Sequence, residues 1–146
     1  MTRPCRIVGL GLATVELSPA EAARAFTQPA TAIATLTHDL TRLWDDYRSS
    51  DPNERRVGSL ALSSGAYLQW IGFASGLAVE VSSNTYLTGS SQLTGEQEAA
   101  LVRTGFRPPE ADEPNFWLFV EHRDDVPSAA WSMVAAMTAA FAVYVG

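Results

Sequence analysis

The stretch AYLQWIGFASGLAVEVSS, residues 66–83, decides the fold of this chain because it is typical of two strands joined by a tight turn. Its first half is rich in aromatic and β-branched residues, which favour strands. Its second half, LAVEVS at residues 77–82, alternates apolar residues with small or polar ones, so one set lies on each face of a strand. The stretch therefore predicts an antiparallel meander with one core-facing side and one wetter side.

Two further strands extend this meander. Val57 to Ser63 predicts a strand before it, joined by a turn at Ser64-Gly65. Asn115 to Glu121 (NFWLFVE) predicts a fourth strand after it.

Helix signals flank the strands on both sides. Ser18 and Glu21 form a capping-box pattern around Pro19, and Pro29 is expected to break or kink that helix. Beyond Pro29, apolar residues at steps of three and four predict an amphipathic face made of Ile33, Leu36, Leu40, Leu43 and Tyr47.

The second half of the chain carries two more predicted helices. Thr94 caps a short helix that runs to about Arg103 and ends at Gly105. A last helix is predicted over Pro127 to Val145. Residues 1–17 fit neither period, so a strand and an irregular packed arm are both open. The prediction is one α+β domain over residues 1–146, with an antiparallel meander and flanking helices in the order α-β-β-β-α-β-α.

Composition limits the classes of partner. The 146 residues are 47% hydrophobic, enough for a packed core, and their net charge is −6. A negative chain lacks the clustered positive field that nucleic acids or anionic membranes require, so neither is an expected partner. An acidic surface is compatible with a basic or amphipathic protein partner, and equally with a role in solubility alone.

The location of the protein is expected to be cytoplasmic. Cys5 is the single cysteine, which favours a reducing compartment, and its thiol is interpreted as structural or incidental rather than as a nucleophile. Arg3 and Arg6 precede the apolar run Ile7 to Val15, but glycines weaken this run and no clear cleavage site follows it.

Residues 126–146 contain no charged side chain and are numerous enough to span a bilayer. The segment is only mildly apolar, being rich in alanine, and no basic anchor follows it. It is therefore interpreted as a buried or dimer-packing helix, and no membrane association is expected. The candidate residues for a homodimer interface are Trp131, Met133, Ala136, Met137 and Phe141.

The common catalytic patterns do not emerge from the sequence, and neither an enzyme activity nor a cofactor is expected. His38-Asp39 on an amphipathic helix is typical of a solvated pair. His122, Asp124 and Asp125 follow a predicted strand end and keep open the alternative of a metal-binding protein or a hydrolase. Glu80, in the middle of a strand, is the carboxylate of interest, and an exposed sheet face is its simpler explanation.

Residues 67–117 resemble the actinobacterial TY-Chap group, whose domains are named for their similarity to type III secretion chaperones and to YbjN proteins. The segments that carry the resemblance are Tyr67-Leu68-Gln69-Trp70, Gly76-Leu77, Glu80 to Asn84, Tyr86-Leu87, Leu93 to Gln97, Leu101, Gly105-Phe106, Pro108-Pro109 and Asn115-Phe116-Trp117. Phe106 stands where a tryptophan is more usual in that group, and the last helix is unusually uncharged, which leaves the choice of partner open.

The resemblance implies binding of a protein or peptide client, often by a homodimer, in a type III secretion chaperone-like fold. A sheet can accept an extended peptide at its edge or an amphipathic helix in a groove. The candidate contact residues are Tyr67, Gln69, Trp70, Glu80 and Trp117, with core packing as the alternative role of the aromatic ones. A homodimeric structural or regulatory module without a client is the other hypothesis kept open.

Overall fold

The computed structural model describes residues 5–26, 28–46, 56–73 and 75–143. Within these ranges the strands are β1 (Ile7–Gly11), β2 (Val57–Leu62), β3 (Tyr67–Phe73), β4 (Gly76–Val81) and β5 (Phe116–Val120). The helices are α1 (Pro19–Ala25), α2 (Pro29–Asp46), α3 (Gly95–Arg103) and α4 (Val126–Phe141). The predicted α+β class is confirmed, and the unassigned N-terminal segment contributes β1 to it.

The strands form one antiparallel sheet in the order β1-β2-β3-β4-β5. The predicted meander is its centre. The register of β1 against β2 shifts between Ile7 and Gly9. This irregularity explains why the N-terminal segment has no clean period of two in its sequence.

The predicted helix boundaries follow their local signals. Ser18 and Thr94 each form a complete capping box, with Glu21 and Gln97 as the reciprocal partners. Pro29 begins α2, so the expected interruption is confirmed. Gly105 follows α3 with a φ of +115°, the left-handed conformation that glycine adopts without strain.

The structure differs from the sequence prediction at the end of the last helix, and two predicted helix residues lie outside the described ranges. The last helix was predicted to reach Val145, but α4 ends at Phe141 because Ala142 turns into the left-handed conformation with a φ of 51°. Tyr47, the last residue of the predicted amphipathic face, lies outside the described residues, as does Val145. Among the described helices, none combines the length and the apolarity needed to cross a bilayer.

The core lies between one face of the sheet and the helices. Leu36, Leu40 and Leu43 of α2 are at most 1% exposed, and they join a single buried cluster with inward side chains of the strands and most of α4. Burying a leucine side chain fully contributes roughly 1.5–3 kcal/mol. The helices that the structure describes thus cover one face of the sheet, and the described residues leave the other face open.

Asp39 is a buried carboxylate that joins three elements. It is 1% exposed, so the prediction that His38-Asp39 is a solvated pair is wrong for Asp39. Its oxygens accept hydrogen bonds from the backbone of Ala13 and Thr14, at 2.9 Å each, and from Nε1 of Trp70 at 2.7 Å. Gly58 lies opposite Trp70, and a Cβ at that position would lie 2.0 Å from the indole. Glycine therefore leaves the room that this indole needs.

Candidate functional site

The open face of the sheet carries two adjacent rows of side chains that cross β2, β3, β4 and β5. We call the first the polar row; its directly paired members are Ser59, Gln69, Glu80 and Trp117. We call the second the apolar row; its members are Val57, Ile71, Ala78 and Phe119. The rows are two residues apart along each strand, a separation of roughly 7 Å.

These rows, with the exception of Ser59, line an open groove of about 480 Å³. Phe73, Ser75 and Glu113 complete its lining. The groove therefore combines aliphatic and aromatic surface on one side with an amide and two carboxyls on the other.

Glu80 and Glu113 form a hydrogen-bonded carboxyl pair in the groove. Nε2 of Gln69 also donates to Oε2 of Glu80. The hydrogen bond to Glu80 raises the pKa of Glu113 from 4.5 to about 7, and burial and the negative charges of Glu80 and Glu110 act in the same direction. Glu113 therefore carries the proton of the pair in weakly acidic solution.

The raised pKa of Glu113 also links stability to pH. A group whose pKa is higher in the folded state stabilises that state fully below its unfolded value, here 4.5. This contribution is lost as the pH rises through about 7, where the carboxyl of Glu113 ionises beside the negative charges of Glu80 and Glu110. The groove is thus under electrostatic strain at neutral and alkaline pH.

A short backbone segment holds Glu113 and covers the outer edge of β5. Arg107 exchanges two backbone hydrogen bonds with Trp117, at 2.7 and 3.1 Å. Glu110 and Glu113 bridge each other in the same way and close a tight turn. The guanidinium carbon of Arg107 lies 5.0 Å from the centre of the Trp117 ring, a cation–π geometry. The segment places one carboxyl over the sheet and one cation over the indole.

Nε1 of Trp117 is shielded from water and has no acceptor among the described residues. A buried N–H without a partner costs roughly 1–3 kcal/mol. A ligand that supplied an acceptor to it would therefore gain free energy.

The predicted contact residues divide between the two faces of the sheet. Gln69, Glu80 and Trp117 lie together in the groove. Tyr67 is partly exposed on the same strand as Gln69, two residues away, but it does not line the groove. Trp70 is fully buried in the core and bonded to Asp39, so it is not available to a ligand. The sequence already contained this signal, since the neighbours Gln69 and Trp70 must face opposite sides of a strand.

Sequence reasoning missed Glu113 and the apolar row as parts of the groove. Glu113 lies in a loop, where no periodic pattern indicates which way a side chain faces. Ile71 and Phe119 were assigned to strands, but only the pairing of the strands reveals that they adjoin one another through Ala78.

The candidate dimer residues of α4 are mostly inside the chain. Met133, Ala136, Met137 and Phe141 are at most 1% exposed and belong to the core of this chain itself. Trp131 is the exception, at 56% exposed. The predicted interface is therefore reduced to Trp131 and its exposed neighbours, because the other four side chains do not reach the surface.

The residues behind the metal or hydrolase alternative lie between β5 and α4. His122, Asp124 and Asp125 are all exposed, and Asp124 and Asp125 belong to a short 3₁₀ turn. Arg123 in this turn forms a two-pronged ion pair with Asp45 of α2, at 2.9 and 3.1 Å. In the described ranges, no group of three or more His, Cys, Asp or Glu side chains could hold a metal ion.

A comparison with protein-family models matches residues 35–145 to TY-Chap3, described as T3SS (YopN, CesT) and YbjN peptide-binding chaperone 3. This range includes β2 to β5, the groove, α3 and α4. Comparisons with curated proteins and with solved structures found no match. The family description supports a general chaperone-like binding role, and the antiparallel sheet with its helices is consistent with a type III secretion chaperone-like fold.

Proposed function

The chain belongs to the TY-Chap3 family of peptide-binding chaperones, and we propose that it binds a peptide segment of a client protein in the groove on the open face of its sheet. The role is one of binding rather than catalysis. The proposal keeps Gln69, Glu80 and Trp117 as contact residues and adds the apolar row to them.

The observation that carries this proposal is the apolar row beside Trp117. Ile71, Ala78 and Phe119 are paired across three strands and partly exposed on a face that the described helices leave uncovered. Contiguous apolar surface in a soluble protein is typical of an interaction site. A client segment would bury this surface, and its backbone could supply the acceptor that Nε1 of Trp117 lacks.

The proposal predicts that Ile71→Glu weakens binding of peptides selected from a random-sequence phage library by roughly tenfold or more. The substitution removes apolar contact worth about 1.5–3 kcal/mol and adds a third carboxylate to the groove. Affinities are measured by fluorescence anisotropy with labelled synthetic copies of the selected peptides.

The matched control is Val102→Glu, which changes an aliphatic residue that is 48% exposed on α3, outside the groove. It is expected to bind like the wild type, and thermal melts establish that both variants are folded. Equal affinity of both variants, or a selection that yields no binder, would contradict the proposal.

Self-association through α4 is a second candidate role, favoured by the exposure of Trp131. The described residues around it on this helix are uncharged, namely Pro127, Ser128, Ala135, Thr138 and Ala139. Large aromatic side chains on such a surface are typical of the centres of protein interfaces.

This candidate predicts that Trp131→Ser converts a dimer into a monomer, measured by light scattering at high protein concentration. Tyr86→Ser is the matched control, since both aromatic residues are 56% exposed. A wild-type protein that is already monomeric, or a dimer that Trp131→Ser leaves intact, would dispose of this role.

A further inference from the structure

The groove presents two different chemistries a short distance apart. Glu80 lies in the polar row between Gln69 and Trp117. Ala78, the next outward residue of β4, lies in the apolar row between Ile71 and Phe119. The roughly 7 Å between the rows equals the spacing of residues i and i+2 in an extended segment.

The charges that face the carboxyl pair are predominantly negative. The carboxyl of Glu113 interacts with the negative charge of Glu80 on β4 and with that of Glu110 in its own turn. Arg107, on the β5 side, lies over the Trp117 ring. Gln69 of β3 contributes a neutral amide, which donates to Glu80. Among the described residues that line the groove, the pair therefore has no cationic partner.

We propose that the groove accepts an extended client segment whose Lys or Arg side chain binds between Glu80 and Glu113, while an apolar side chain two positions away packs on the apolar row. This inference rests on the proposed function and specifies which clients the groove selects. Charge complementarity favours this occupant over an acidic or wholly apolar segment.

Binding of the basic side chain exchanges one cation for one proton. The client's ammonium or guanidinium group takes the position of the Glu113 proton, which leaves to solvent, so that both carboxylates pair with the client. Because Glu113 titrates near pH 7, the competent ionised pair becomes more populated as the pH rises. Lys and Arg keep their own charge over this range.

The test uses three fluorescein-labelled peptides of one Thr- and Ser-rich sequence with Leu at a fixed position. Two positions further on, they carry Arg, norleucine or Glu. We expect the Arg peptide to bind most tightly to the full chain. Its association constant should rise roughly threefold from about pH 6 to about pH 8, since the form with a protonated Glu113 should bind about fivefold more weakly than the ionised form.

Glu113→Gln should remove this pH dependence. It should also lower the affinity for the Arg peptide about fivefold at the higher pH, the effect of losing one partly exposed charge pair. The glutamine can still donate a hydrogen bond to Glu80. Asp112→Asn is the matched control, since it removes the same charge from an exposed position of the same turn that does not line the groove. It should keep both the preference and the pH profile.

The outcomes separate this inference from the function on which it rests. If all three peptides bind equally and Ile71→Glu abolishes binding, the groove binds peptides without preference for a basic residue, and the inference is overturned while the function stands. Tighter binding of the Glu peptide, or a pH profile unchanged by Glu113→Gln, also overturns it. If none binds and the groove instead joins two copies of the chain, seen as a mass that Ile71→Glu halves, both proposals fail.

Discussion

Replacing Asp39 with alanine is expected to lower the free energy of unfolding by about 3–5 kcal/mol, a large share of the stability of a small protein, because several buried donors lose their acceptor. The carboxylate is 1% exposed and also accepts a bond from Oγ1 of Thr14 at 2.6 Å, in addition to those from two backbone N–H groups and the indole of Trp70. Alanine would leave these donors unpaired in the interior and would open a cavity. Urea unfolding followed by circular dichroism measures the change.

Asp46→Ala is the control for this experiment, since Asp46 is exposed at the end of the same helix. Its effect should remain within about 0.5 kcal/mol. Trp70→Phe provides a second comparison because it removes one donor and keeps the acceptor. In a double-mutant cycle, Asp39→Ala and Trp70→Phe should be non-additive. A cost below about 1 kcal/mol for Asp39→Ala would mean that the carboxylate does not join these elements.

The position of Asp39 on the buried face of α2 could be inferred from the sequence, but its hydrogen-bond partners could not. It lies three residues after Leu36 and four before Leu43, so helical geometry places it on the buried face of α2. Its charged side chain favoured an exposed position instead, which is why it was interpreted as solvated. The hydrogen-bond donors that offset the cost of burying this carboxylate come from β3 and from the segment after β1. They are far from Asp39 in sequence, so no local pattern predicts them.

The parts of the fold that were predicted well depend on neighbours in sequence. Capping at Ser18 and Thr94, the stop at Gly105 and the alternation in β4 all follow from interactions within a few residues. The groove does not follow from such local interactions. It depends on the register of four strands, on which face of the sheet the helices cover, and on the turn that carries Glu113. Of the five contact residues predicted from the sequence, Gln69, Glu80 and Trp117 line the groove, whereas Tyr67 does not and Trp70 is buried in the core.

The buried face of the uncharged last helix could not be inferred from its sequence because the helix is apolar on nearly every side. Such a helix has little periodicity from which to infer its buried face. A core position and an interface position therefore look alike. In the structure, Ala136 is fully buried between α4 and its neighbours, whereas Ala139, in the same helix, is exposed.

This difference makes Ala136→Glu the most disruptive substitution we expect in α4. A carboxylate forced into this site finds no cationic partner in the surrounding cluster of apolar side chains, and its added volume has no room in a packed core. We expect a loss of at least about 4 kcal/mol, which would leave the protein largely unfolded. The expected signature is loss of the cooperative thermal transition and of near-ultraviolet circular dichroism.

Ala139→Glu is the matched control, since it adds the same side chain to the exposed side of the same helix. It should cost no more than about 1 kcal/mol, the unfavourable effect of a negative charge near a helix C-terminus. If Ala136→Glu instead gave a folded monomer from a dimeric wild type, Ala136 would belong to an interface between copies rather than to the core. The two substitutions together therefore distinguish the packing role of α4 from an assembly role, since only a core position unfolds the isolated chain.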